Sequence, residues 1–438
     1  GRCKTPCCMF HPQENLFYHP RNKNLAIVAL IEAILYETQR FRSTGFNALR
    51  YLNQVADHCT ICHKCQPPCP VDIDSGAVTL LQRRILTARG YRRTSPATRV
   101  ALAFLDNRSR VVNGLFRPPA LWVGSRMQRA GARVFDGMMP GPRNTVAGRR
   151  LALLRSAMPP VPAGTLYGRL PPCGHAQALV IEPDDGDGAA GTVFYFPGCG
   201  SERLYSHVSA AAVHILTRSG MRVILPPPFQ CCGFPARVNA KAETHRDQAM
   251  RVAIILNQIR ERFSHFRFEA VAVSCGTCME ALTEMNAAAV FDAPIADVSR
   301  LAADAGLTVD TGAACLYHAP CHDSLAGDGR ALLARLGRCA TAVPHCCGEA
   351  GTLALSRPDI AAAIRSRKAA AFTAAMAETA THPIVLTNCP ACISGLGRSR
   401  ELGLQVRHLA VELARAVDGS DWLEQTSNWR QRAKVVSF

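Results

Sequence analysis

The rhythm of hydrophobic and polar positions changes along the chain, and the changes divide it. From Leu25 to Phe41 apolar residues fall at Leu25, Val28, Ile31 and Leu35, a spacing that predicts a helix with an apolar stripe. Ser75 to Leu86 predicts a second helix, directly after a group of cysteines. Residues 1–95 therefore read as a first, helical unit, and residues 96–185 as a connector rich in Arg, Pro and Gly, with short amphipathic stretches such as Val100 to Leu105. From about residue 190, β-rich apolar runs at Thr192–Phe196, Arg222–Leu225 and Ala270–Ser274 alternate with helical stretches at Ser206–Ser219 and Glu243–Glu261. The alternation then starts again, with strands expected at Cys315–His318, Ala340–Val343 and Ile384–Asn388 and helices at Arg330–Leu336 and Pro358–Glu378. Such βαβ patterning predicts parallel sheets. The expected architecture is α+β and multidomain, with two repeated α/β units at 186–308 and 309–420 and a tail at 421–438.

Composition adds constraints. A length of 438 residues suggests about three domains, and 48% hydrophobic with 19% charged residues is ordinary for a globular protein. No run of 18 apolar residues occurs, so no transmembrane helix is expected. The formal net charge is +17, and the stretch from Arg83 to Arg155 holds sixteen arginines against two acids, Asp106 and Asp136. Such a stretch suits an acidic protein or an anionic lipid surface, or is simply a basic connector. Nucleic acid is not expected, because no aromatic–basic interleaving or DNA-binding motif accompanies the charge.

The twenty cysteines come as CxxC pairs and Cys-Cys doublets, with no signal peptide ahead of them. Clustered thiols outside an oxidising compartment read as metal ligands rather than disulfides. The chain opens Gly-Arg-Cys without methionine, which reads as a piece of something longer or an incomplete gene model.

Cys59-Thr-Ile-Cys62-His-Lys-Cys65-Gln-Pro-Pro-Cys69-Pro70 fits C-x2-C-x2-C-x3-C-P. Such a run wraps a cubane [4Fe–4S] cluster with three thiolates, and its fourth cysteine serves the other cluster of a two-cluster protein. A zinc knuckle is the alternative, although zinc sites favour two well-separated CxxC pairs. The first unit is thus expected to be an α-helical, ferredoxin-like domain. Cys3-Lys-Thr-Pro-Cys7 reads as the end of a second such run, with Cys8 in place of the proline. Crossing over then gives one complete cluster on Cys7, Cys59, Cys62 and Cys65, and one incomplete cluster on Cys3 and Cys69. Cys8 reads as a bystander, with substitution for a missing ligand as the alternative, and His58 and His63 read as supporting or solvent-facing groups, with ligation as the alternative.

The second half carries an internal repeat. Phe196-Pro-Gly-Cys199 matches His318-Ala-Pro-Cys321, Cys231-Cys232-Gly233 matches Cys346-Cys347-Gly348, and Cys275-Gly-Thr-Cys278 matches Cys389-Pro-Ala-Cys392, at offsets of 122, 115 and 114 residues. Repetition at a nearly fixed offset predicts two similar halves. Five thiols per half exceed the needs of one tetrahedral metal ion and suit a multi-iron cluster, with zinc or no metal in one half as the alternative. Gly233 and Gly348 suggest close backbone approach or positive φ. The spacings differ, with 31 residues between Cys199 and Cys231 but 24 between Cys321 and Cys346, so the two sites need not hold the same cluster type. Cys173, Cys315 and Cys339 match no motif position and read as small buried hydrophobes. His318, His322 and His345 read as structural, with proton delivery as the alternative. Glu349 reads as a solvated surface residue, with proton handling as the alternative. Gly348 and Gly351 are expected to leave the second site open to an acceptor.

These motifs resemble the cysteine-rich CCG domains of iron–sulfur oxidoreductases. The resemblance extends to heterodisulfide reductase, the glycolate oxidase iron–sulfur subunit, the lactate-utilisation iron–sulfur protein and anaerobic glycerol-3-phosphate dehydrogenase. It is nearest to the C-terminal module of large bacterial FAD-linked oxidases, whose segment after the first ferredoxin motif is similar to Asn15–Asn24 here. In that family CCG motifs can hold a non-cubane [4Fe–4S] cluster. The role would fall here on Cys199, Cys231, Cys232, Cys275 and Cys278, and on Cys321, Cys346, Cys347, Cys389 and Cys392. The resemblance implies an electron-transfer module of a FAD-linked 2-hydroxy-acid dehydrogenase of the D-lactate or glycolate type, passing electrons to a quinone or other acceptor. FAD would sit on an upstream domain or partner, since no G-x-G-x-x-G follows a strand here, and the chain would not be active alone. The implied location is cytoplasmic, with peripheral contact at the inner membrane face as an extension. A heterodisulfide-type thiol–disulfide oxidoreductase and a non-enzymatic metal-binding scaffold are the alternatives.

Overall fold

The computed structural model describes residues 1–11, 15–41, 46–117, 121, 123–138, 158–162, 164–183, 190–309, 314–377 and 384–438. Residues 139–157 of the basic connector and Glu378, the expected end of a helix, lie outside the described residues.

The strands are β1 (Gln177–Ile181), β2 (Gly191–Phe196), β3 (Met221–Leu225), β4 (Phe268–Val273), β5 (Ile295–Asp297), β6 (Cys315–Tyr317), β7 (Ala340–Ala342), β8 (Ile384–Thr387), β9 (Gln405–His408) and β10 (Lys434–Ser437). They form two sheets, ordered β10-β1-β3-β2-β4-β5 and β7-β6-β8-β9. All neighbours in the run β3-β2-β4-β5 are parallel, and so are those in β7-β6-β8-β9. The two runs have the same strand order in the same chain order. The inner strands are apolar over their length, as expected of parallel sheets covered on both faces. Tyr195 of β2 packs with Tyr317 and Leu386 in one buried cluster, while its neighbours Phe194 and Phe196 point the other way into a cluster with Leu316 and Val385.

The first sheet departs from the expected all-parallel form. β1 pairs antiparallel with both β3 and β10. β1 lies in the stretch read as connector, and β10 in the stretch read as tail. Four-to-five-residue runs beside Gly, Pro and charged residues carry little periodic signal, whereas their pairing partners are distant in sequence. Short β5 and polar β9 escape the sequence pattern for the same reason.

In the first unit, helices Pro20–Phe41, Leu52–Asp57 and Ser75–Ala88 enclose a small core of Ile34, Leu49, Leu52, Val55, Ala56 and Leu86. The first helix is apolar on two faces. Lys23, Ile27, Leu30 and Ile34 turn inward, and the stripe seen in sequence, Leu25, Val28, Ile31 and Leu35, is exposed. Among the described residues no helix is long and apolar enough to cross a membrane.

Several arginines of the basic stretch are internal fasteners. Arg83 is buried and donates to the carbonyls of Ala56, Cys59 and Val238, tying the first unit to the first repeat. Arg117 reaches the carbonyls of Pro162, Gly164 and Arg203, and Arg110 that of Cys173.

Candidate metal centre

In both halves the cysteines gather at the carboxyl ends of parallel strands, where open α/β sheets place their sites. Cys199 follows β2, Cys231 and Cys232 follow β3, and Cys275 follows β4. Cys321, Cys346–Cys347 and Cys389 follow β6, β7 and β8 in the same way. Cys275 and Cys389 are the N-caps of helices Gly276–Glu284 and Pro390–Gly397, so each CxxC pair lies at a helix N-terminus, whose field favours thiolate. All twenty cysteines are free thiols.

The close contacts between the halves come in matched pairs. A Cβ on Gly276 would overlap the His322 carbonyl oxygen, and one on Gly200 would lie 2.8 Å from Pro390 Cγ. Each pair joins the residue after the first cysteine of one CxxC to the residue after the lone cysteine of the other half. Within each half the matching strands are also tied alike: Tyr195 bonds Ser274 at 2.8 Å, and Tyr317 bonds Asn388 at 3.0 Å. At the strand ends, His408 Nε2 meets the Ser274 carbonyl at 3.0 Å, and the carboxylate of Asp297 accepts from Ser324.

The thiols form one unbroken series across both halves. Cys199 neighbours Cys231, which neighbours Cys232; Cys232 neighbours Cys278, and Cys278 neighbours Cys275. Cys275 meets Cys389 of the other half, and the series continues through Cys392, Cys347 and Cys346. Cys346 lies 3.8 Å from Cys321, and both meet Cys62 or Cys8 of the first unit. Along the thiol series the second repeat therefore lies between the first unit and the first repeat. Cys8, a bystander by its sequence position, instead lies against Cys62 and Cys346 and 3.3 Å from the Thr60 hydroxyl. Its place depends on a contact with a residue more than 330 positions away, which no local pattern shows.

In each doublet the first thiol is held well below its ordinary range and the second is pushed up. Cys231 is lowered by Cys199 and Cys232, then by the Gly233 amide, and Cys346 by Cys321, Cys347 and Cys8, then by the Gly348 amide. The Gly348 N–H donates to Cys346 Sγ at 3.4 Å. Gly233 and Gly348 have φ of +86° and +78°, in the left-handed region that favours glycine.

In the first unit, Cys7, Cys8, Cys59, Cys62 and Cys65 line one small cavity. The loop that presents them holds Ile61 and His63 at positive φ, 54° and 55°, a strained form that side-chain residues keep only where their surroundings impose it. Cys3 and Cys69 find other partners, His19 Nε2 at 3.6 Å and the Ile73 amide at 3.3 Å. His322 joins all three units: Nε2 donates to the Ile61 carbonyl at 2.9 Å and Nδ1 pairs with Glu280 of the first repeat. Burial pushes the His322 pKa down, but Glu280 outweighs it and the net shift is upward. His58 is buried, stacked on Tyr18, with Nδ1 donating to the Gln54 carbonyl at 2.7 Å.

The surroundings of the two repeats differ. Beside Cys199 and Cys231 lie buried Arg203 and Glu202, the latter's carboxyl raised by burial to about 7. Beside the second site lie Lys64, Lys368 and His318. Glu349 is not solvated: it pairs with buried Arg398 at 3.1 Å. Gly351 does not open the second site either, because a Cβ there would overlap Val238 of the first repeat. Cys173 and Cys315 are buried as expected, whereas Cys339, just before edge strand β7, is exposed.

Comparison with known proteins agrees with this geometry. The cysteine-rich domain family CCG matches twice, at residues 193–283 and 315–397. The chain is 28% identical over 242 residues to the glycolate oxidase iron–sulfur subunit of Escherichia coli, covering 49% of this chain and 56% of that protein. It is 25% identical over 211 residues to an uncharacterized iron–sulfur protein of Methanococcus maripaludis, covering 46% of this chain and 40% of the other. The chain thus spans about half the length of these curated relatives. No solved structure matches it.

Proposed function

We propose that this chain, which carries two cysteine-rich CCG domains, is the iron–sulfur electron-transfer module of a FAD-linked 2-hydroxy-acid dehydrogenase of the D-lactate or glycolate type. The flavin would sit on a partner domain or subunit, and a quinone or another carrier would accept the electrons.

The observation that carries this reading is the continuous series of buried and half-buried thiols from Cys62 through the second repeat to Cys199. The donor chemistry fits soft, multi-iron groups: sulfur ligands in adjacent pairs, without disulfides, at helix N-termini. Cys7, Cys59, Cys62 and Cys65 would hold one cubane, and Cys3 and Cys69 would be part of a second. Cys199, Cys231, Cys232, Cys275 and Cys278 would hold the group of the first repeat, and Cys321, Cys346, Cys347, Cys389 and Cys392 that of the second. When bound, iron–sulfur clusters supply one-electron storage at potentials tuned by charge, hydrogen bonds and exposure. The protein supplies that tuning. Gly233 and Gly348 amides face the first thiolate of each doublet, Arg203 and the lysines Lys64 and Lys368 balance negative charge, and burial excludes water.

The burial also favours electron relay over thiol–disulfide chemistry. Cys231, Cys232, Cys346 and Cys347 are all buried, whereas Cys199 and Cys321 are half-buried, so a substrate disulfide would meet the lone cysteine of each repeat before either doublet. The test is anaerobic mixing of the reconstituted chain with a D-lactate- or glycolate-oxidising flavoprotein. Visible absorbance of the chain should bleach when hydroxy acid and flavoprotein are both present, and not with hydroxy acid alone. Failure to bleach, together with thiol-dependent turnover of a disulfide, would support the heterodisulfide reading instead.

A further inference from the structure

His318 ends the central strand of the second sheet, one residue past β6, and its counterpart at the end of β2 is Phe196. Phe196 is buried in an apolar cluster and has no polar atom to offer. His318 is 2% exposed, and neither ring nitrogen has a hydrogen-bond partner. Among the described residues it is the one buried histidine with both nitrogens unpaired. Leaving a buried polar group unpaired is costly, so such a ring calls for a partner. Lys368, the nearby cation, is already committed, donating to the carbonyls of Val343 and Pro344 at 2.7 and 2.8 Å. What the ring does face is sulfur: a His318 nitrogen and the Sγ atoms of Cys347 and Cys392 all lie within 4.8 Å of one another.

We propose that His318 is a ligand of the metal group in the second repeat, supplying an imidazole nitrogen beside the thiolates of Cys347 and Cys392. This rests on the iron–sulfur reading above and adds a ligand to it. Imidazole and thiolate are both established iron ligands, and exchanging thiolate for neutral imidazole removes negative charge and raises the reduction potential. With Phe196 at the matching position, the first repeat offers no imidazole there. The two repeats therefore hold chemically distinct centres, the second with mixed nitrogen and sulfur ligation.

The chain is reconstituted with iron and sulfide, with 15N placed only at histidine, and its reduced centres are examined by pulsed EPR. The expected result is a strong nitrogen coupling that changes with the isotope and disappears in His318→Phe. A His318→Cys variant should keep a centre in the second repeat but shift its potential downward. Measurement on the labelled native chain needs no substitution, so misfolding of a variant does not leave the question open. Iron–sulfur signals without histidine coupling, or with a coupling that persists in His318→Phe, would overturn this ligand while leaving the electron-transfer reading intact. Absence of any reducible iron–sulfur centre would overturn both.

Discussion

Gly276 and His322 approach so closely that the two repeats meet backbone to backbone, and a Cβ at position 276 would overlap the His322 carbonyl oxygen. The contact lies between Cys275 of one half and Cys321 of the other. Gly276→Ala is therefore expected to force the halves apart. The cost should be about 3 kcal/mol, the upper end for overpacking, because backbone cannot rotate away. Gly200→Ala meets only the far edge of Pro390 and should cost less. Denaturant unfolding of both variants checks the ranking, and equal stability would contradict it.

The Arg83 guanidinium is the fastener between the first unit and the first repeat. Its removal strands the carbonyls of Ala56, Cys59 and Val238 without donors. Arg83→Met should lose about 3 kcal/mol, given about 1–3 kcal/mol for each buried group left unpaired. Arg83→Lys should recover little of it, since one ammonium lacks the fork that reaches three carbonyls. Unfolding midpoints, with iron retained by the first unit as a second readout, decide this.

His408 sets an acid limit. Its Nδ1 accepts from the Ala410 amide at 3.2 Å and its Nε2–H donates to the Ser274 carbonyl, so the ring is neutral in the fold. Burial lowers its pKa from 6.5 to about 4. Between those values the unfolded chain binds the extra proton and the folded chain does not, so stability falls as pH drops from about 6.5 to about 4. A shift of this size corresponds to about 3 kcal/mol at the acid end. His408→Asn should flatten that part of the pH–stability curve while leaving stability above pH 7 less affected. An unchanged acid slope would contradict the assignment.

The cysteine chemistry and most central strands and helices were legible because both leave local signatures, fixed spacings and apolar runs. What was not legible depends on distant partners. β1 and β10 are strands because each completes the other's edge. Leu25, Val28, Ile31 and Leu35 looked like a core stripe, but the opposite face of that helix meets Leu52 and Leu86, and sequence alone did not rank two apolar faces. Glu349 is tied to Arg398 and Gly351 is capped by Val238, both across long separations. The order of the sites was invisible for the same reason, since Cys62 and Cys321 are joined only by the fold.

That order is the central claim, and Cys347→Ser tests it most directly. Cys347 is the link between Cys346, on the side of the first unit, and Cys392, on the side of the first repeat. Serine offers a hard oxygen where soft sulfur is preferred. Acceptor reduction by the reconstituted variant is compared with that of the native chain, with EPR of the first unit recorded on the same samples. The account predicts that electron delivery is abolished while the centre near Cys62 remains intact and reducible; full delivery by Cys347→Ser, with loss confined to Cys232→Ser, would contradict it.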